Sequence, residues 1–156
     1  MATPLLISLP FAAMLVAVAR ADLDRRIIPN RVLAPAAAWA VAASVLVRPE
    51  ALAELAIAGA AAFLALLAVA LARPGGMGLG DVKLAGVMGL FLGEAVAVAL
   101  LVAFLAGSVV GIGLVARDGR EAGKRTLPFA PFLALGGLAG MVAGPELVEL
   151  YVTRLV

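Results

Sequence analysis

Six apolar runs, separated by short charged or glycine-rich breaks, constrain this chain more than any single motif does. They extend from about Leu5 to Ala21, Val32 to Val47, Leu52 to Leu71, Asp81 to Leu92, Ala95 to Val115 and Pro131 to Val152. A helix needs about 20 apolar residues to cross a bilayer. Inside hydrocarbon the backbone must satisfy its own hydrogen bonds, which leaves the helix as the natural solution for such runs. The composition is 65% hydrophobic, far above the globular range. The sequence therefore predicts an all-α polytopic membrane protein, with six transmembrane helices in a compact bundle. Residues 1–156 form one membrane-embedded domain in this reading. The first run reads as a retained helix rather than a cleaved signal, and Pro10 is a possible kink site. The fourth run is the shortest, and it contains Gly86 and Gly89.

The basic residues give an orientation. If the amino terminus is outside, Arg20, Arg25, Arg26, Arg31, Arg73, Lys83, Arg117, Arg120, Lys124 and Arg125 fall on the cytoplasmic side. Arg48 and Arg154 remain outside. Ten against two is the asymmetry that the positive-inside rule describes. A net charge of +2, with the basic groups in loops beside apolar runs, does not suggest a nucleic-acid partner. The expected surroundings are membrane lipid.

The chain has neither cysteine nor histidine. That excludes a disulfide framework, thiolate or imidazole metal ligands, and chemistry built on a nucleophilic cysteine or a histidine base. No metal and no organic cofactor is expected.

Against this background one stretch stands out: Gly76-Met77-Gly78-Leu79-Gly80-Asp81-Val82-Lys83-Leu84. Ionisable groups at membrane depth are costly and are presumed functional. A second carboxylate, Asp22, ends the first run. Asp24 competes with it, but residues two apart do not share a helix face. Asp24 adjoins Arg25 and Arg26 and reads as solvated, so Asp22 is the better partner for Asp81. The plain alternatives are a loop charge for Asp22 and an N-terminal helix cap for Asp81. Two facing carboxylates cannot both ionise cheaply, so such a pair shares a proton and can activate water. Helix dipoles suggest Asp81, at a helix start, as the ionised base, and Asp22, at a helix end, as the acid.

These residues resemble the signatures of the type IV prepilin peptidase family. Asp22 with Ile28-Pro29-Asn30 is similar to its first motif, and Gly78-Leu79-Gly80-Asp81 to its GxGD motif. Leu127-Pro128-Phe129-Ala130-Pro131-Phe132 is similar to its late Pro-Phe-Gly-Pro-Phe segment, with Ala130 where Gly is common. The resemblance implies a membrane aspartic endopeptidase that removes the short basic leader of type IV prepilins or pseudopilins at the cytoplasmic face. By position it implies Asp22 and Asp81 as the catalytic pair. Gly78, Gly80, Lys83, Pro29 and Asn30 would support the motifs or bind substrate. It places the protein in the inner membrane of a prokaryote. Lys83, or an arginine of the Arg117–Arg125 loop, is a candidate partner for the acidic residue that family substrates carry just after the cut. Larger members carry two Cys-x-x-Cys pairs and also N-methylate the new amino terminus. This chain has no cysteine and no room for that segment between its first runs. It resembles the short, peptidase-only members of Flp/tight-adherence pilus systems.

The alternative is a small transporter or ion-conducting protein, with Asp22, Asp81 and Lys83 along an ion path. Carboxylates would then recur near span centres, whereas Glu54, Glu94, Glu146 and Glu149 fall near the outer ends of the runs. A non-catalytic assembly subunit would not be expected to keep both aspartates. Gly107 with Gly111, and Gly136 with Gly140 and Gly144, are small-xxx-small steps expected to pack helices closely.

Overall fold

Prolines and glycines set several of the helix limits. The computed structural model describes residues 2–72, 76–119 and 128–155. These form six α-helices: α1 (Ala2–Arg25), α2 (Asn30–Val47), α3 (Leu52–Ala72), α4 (Leu79–Leu92), α5 (Val96–Asp118) and α6 (Ala130–Leu155). Single 3-10 turns, Pro49–Ala51 and Gly93–Ala95, join α2 to α3 and α4 to α5. Pro29, with φ −75° and ψ 127°, caps the start of α2 in an extended conformation. Gly93 ends α4 at φ 59°, a left-handed conformation that glycine adopts at little cost. The α1 helix continues through Pro10, and α2 through Pro35. Residues 120–127 lie outside the described residues, and with them most of the Arg117–Arg125 loop.

Among the described residues, four segments are long and apolar enough to cross a membrane: Leu5–Arg25, Asn30–Val47, Pro49–Ala72 and Leu79–Asp118. The last contains both α4 and α5, and Ala130–Gly144 is an apolar part of α6. The six runs thus reappear as six helices, with α4 and α5 in one continuous apolar segment. The α4 helix is the shortest. Its 14 residues rise only ~21 Å, less than the ~30 Å hydrocarbon core. The exterior is apolar as well: Leu46, Ile57, Leu71, Val109, Ile112 and Val142 are all exposed. In water such a surface would drive association, whereas in a bilayer it faces its natural solvent.

Two seams dominate the packing, α3 against α4 and α5 against α6. In the second, Gly136, Gly140 and Gly144 lie against Ala99 and Ala95, where any Cβ would collide with the neighbouring helix. This is the close approach expected of that spacing. Gly107 does something else: it makes room for the Phe129 ring, 3.2 Å from where its Cβ would stand. The α3–α4 seam rests on glycines whose pairing the sequence did not reveal. A Cβ on Gly89 would come within 2.5 Å of the Gly59 Cα, so backbone meets backbone there.

The core lies where these seams meet α1. Phe11, Leu15 and Val18 form one buried stripe of α1, and Leu84 and Met88 one of α4; Leu66 and Leu133 complete the centre. Arg48 closes one end of the bundle. Its Nη2 donates to the Phe91 carbonyl at 2.8 Å, placing a cation on the C-terminal end of the short α4. Trp39 Nε1 donates to the Leu6 carbonyl at 2.8 Å and ties α2 to α1.

Candidate active site

The buried stripe of α1 ends on a carboxylate. Phe11, Leu15, Val18 and Asp22 stand at steps of four, three and four, so all face the core. Asp22 is 7% exposed, whereas Asp24 is on the exposed side. The stripe of α4 begins on a carboxylate. Asp81, Leu84, Ala85 and Met88 share its inner face, and Asp81 is 8% exposed. Helical periodicity thus carries both acids inward, one at the end of its helix and one at the start.

They line one cavity of about 280 Å³, together with Arg26, Ile27, Ile28, Asn30, Gly78, Gly80 and Lys83. Six of the seven site residues singled out from the sequence meet there: Asp22, Asp81, Gly78, Gly80, Lys83 and Asn30. Pro29 does not line the cavity, because its role is to cap α2 and so place Asn30. Asn30 Oδ1 accepts a hydrogen bond from Lys83 Nζ at 3.3 Å.

Asp81 is not the cap of its helix. Gly78 holds that position, and Asp81 is the third helical residue. From there, in the first turn of α4, its carboxylate turns back over Gly78. Its Oδ1 is buried and has no hydrogen-bond partner. Asp22 Oδ2 accepts the backbone N–H of Ala130, the first residue of α6, at 3.2 Å. This alters the dipole argument. Asp22 does lie in the last turn of α1, but its carboxylate also meets the positive end of α6. Both acids face a helix N-terminus, so helix dipoles no longer assign the base to Asp81.

The glycines of the second motif differ in what they do. A Cβ on Gly80 would stand 2.9 Å from the Ile28 Cβ, so the two motifs interlock at that point. A Cβ on Gly78 would meet Asp81 Oδ2 only at ordinary contact distance, 3.4 Å. Ile28 is delivered by a turn at Arg26, whose φ of 52° is the only positive value at a non-glycine among the described residues. Such a backbone costs about 1–2 kcal/mol.

A sequence profile of the type IV leader peptidase family matches residues 9–112, a stretch that contains both aspartates. The chain belongs to that family. A relative from Bacillus subtilis (strain 168), named prepilin leader peptidase/N-methyltransferase, is 33% identical over 143 residues, 91% of this chain and 57% of its own. Relatives of the same name from Aeromonas hydrophila and Aeromonas salmonicida (strain A449) are 30% and 29% identical, each over half of their own length. The chain thus spans about half the length of the curated relatives it matches. No solved structure matches it.

The family match stops short of α6, yet α6 supplies a group the sequence reading missed, the Ala130 amide. Phe129 precedes that amide and stacks between Phe104 and Phe132, at ring-centre distances of 5.3 and 6.2 Å. This aromatic cluster fixes where α6 starts. The available signal was the Pro128-Phe129-Ala130-Pro131 segment itself, since proline close behind a cap marks a helix N-terminus.

Proposed function

We propose that this chain is a membrane aspartic endopeptidase that removes the leader peptide of type IV prepilins or pseudopilins, with Asp22 and Asp81 as its catalytic pair. One observation carries the reading: two aspartates from separate motifs, each more than nine-tenths buried, share one cavity. A pair so placed holds one proton between its members. The ionised carboxylate takes a proton from water as the water oxygen bonds to the scissile carbonyl carbon. The protonated one donates to the carbonyl oxygen. Collapse of the tetrahedral species breaks the C–N bond: the leaving amine receives the proton taken from water, and the carbonyl oxygen returns its proton to the carboxylate that gave it.

All six helices cross the membrane in this reading, the short α4 together with the turn that follows it. The amino terminus is outside and the cavity lies at the cytoplasmic face of a prokaryotic inner membrane. The charge asymmetry of the loops supports that orientation. Residues 26–29 are all that join α1 to α2, and the chain has no cysteine. The short link supports an Flp-type peptidase reading for these residues. Lipid is the surrounding partner, and no nucleic acid is involved.

The test is co-expression with a candidate prepilin, reading loss of the leader by mass. Cleavage by the wild type, and none by Asp22→Asn or Asp81→Asn, is the expected result. A prepilin that is processed equally by both variants would refute the reading.

A further inference from the structure

The α4 helix has a second lengthwise face. Lys83, Gly86, Val87 and Leu90 follow one another at helical spacing, beside the stripe that carries Asp81. They form the floor of an open groove of about 570 Å³, walled by Leu33, Ala34 and Ala37 of α2 and by Gly59, Ala60 and Phe63 of α3. α2 and α3 touch each other far less than each touches α4, which leaves the groove open between them. The Pro49–Ala51 turn connects them beyond one end. At the other end the groove reaches Asn30 and Lys83, which also line the cavity of Asp22 and Asp81. Groove and cavity are therefore continuous, apolar along the groove and polar at the junction.

We propose that this groove docks an apolar helix of the substrate, next to the bond to be cut; the proposal rests on the peptidase reading above. A chain entering from hydrocarbon must satisfy its own backbone, so the segment lying in the groove is helical. Glycine and alanine make up much of the lining, Ala34, Ala37, Gly59, Ala60 and Gly86. Small residues let a helix backbone approach where no hydrophobic effect drives association. From Lys83 to Leu90 the groove is two turns long, ~10 Å. A docked helix meets the hydrogen-bonded Lys83–Asn30 pair where it leaves the groove. Beyond that pair its chain unwinds into the cavity, presenting a peptide bond to the two acids. Lipid is the competing occupant, its headgroup suited to Lys83, and the cross-linking below separates the two.

The experiment places a photoreactive residue at Ala34 or Ala60 in the Asp81→Asn background, co-expressed with a prepilin that the wild type cleaves. Val109 of α5, exposed on another helix, is the control position. The expected result is cross-linking to the prepilin from Ala34 and Ala60 and not from Val109. Cross-links only to lipid or to a second copy of the chain, or equal capture at Val109, would overturn the proposal. Ala34 and Ala60 are exposed, so Ala34→Leu with Ala60→Leu fills the groove without entering the core. That double variant should raise KM for the prepilin by about tenfold. A wild-type KM would count against the groove. If the wild type cleaves no prepilin at all, the peptidase reading fails first; if it cleaves and neither effect appears, the groove proposal fails alone.

Discussion

The two ends of the bundle each bury a polar atom that lacks a partner. At one end it is Asp81 Oδ1; at the other it is Arg48 Nε. A buried polar atom without a partner costs about 1–3 kcal/mol, so each invites an explanation. Arg48 has one in the fold, because its Nη2 already holds the last turn of α4. Its cavity is otherwise lined by residues such as Phe11, Phe91 and Met141, with no second ionisable group among the described residues. Around Asp81 the surroundings differ: a second carboxylate, an exposed lysine and an asparagine share the space. An unpartnered polar atom points to chemistry when another titratable group faces it, and to architecture when it does not.

The sharpest way to break this comparison is to remove the acids. Asp22→Asn or Asp81→Asn should each lower prepilin cleavage by about 10²–10⁴-fold while the protein still inserts, read from leader loss beside membrane content. Asp24→Asn should keep most activity. If Asp24 proved essential and Asp22 dispensable, the pairing of α1 with α4 would be wrong.

The interlock between the motifs should give the next largest effect. Gly80→Ala must push Ile28 away, at about 1–3 kcal/mol, and cleavage should fall by about tenfold as the cavity deforms. Gly78→Ala has room and should stay within about twofold of wild type in the same assay. Equal losses at the two glycines would mean that the loop needs flexibility rather than space.

Lys83→Glu should reduce cleavage by about two- to fivefold, the range of an exposed charge pair. Reversing the acid just after the cut in the pilin should restore part of that loss. Absence of rescue would remove Lys83 from substrate reading. Smallest in activity should be Arg48→Met. Unfolding followed in detergent should show about 1 kcal/mol less stability, with cleavage within about twofold of wild type. Abolished cleavage at unchanged stability would erase the distinction between the two ends.

Much of the site was legible because helical spacing is local. Asp22 extends the stripe Phe11-Leu15-Val18, and Asp81 opens the stripe Leu84-Met88, so sequence alone could set each acid on a face. The Gly136-Gly140-Gly144 row declared its seam in the same way. What stayed hidden depends on partners distant in the chain. The amide that holds Asp22 is 108 residues away. Gly89 meets Gly59 only once two helices are docked, and Arg48 finds Phe91 only once α4 has stopped short. Those pairings follow from the assembled bundle and leave no periodic trace.

Asp22 is held by main chain. Every residue except proline offers the same N–H at position 130, so the donor survives nearly any replacement that fits the fully buried site. Glycine, as in the Pro-Phe-Gly-Pro-Phe segment this stretch resembles, and the alanine found here are interchangeable in this respect. A proline is accepted at the first position of a helix and would delete this one donor while leaving α6 to start where it does. The grip on a candidate catalytic acid is thus anonymous: it can pass through long divergence without leaving a conserved letter, and an inventory of shared side chains would overlook it.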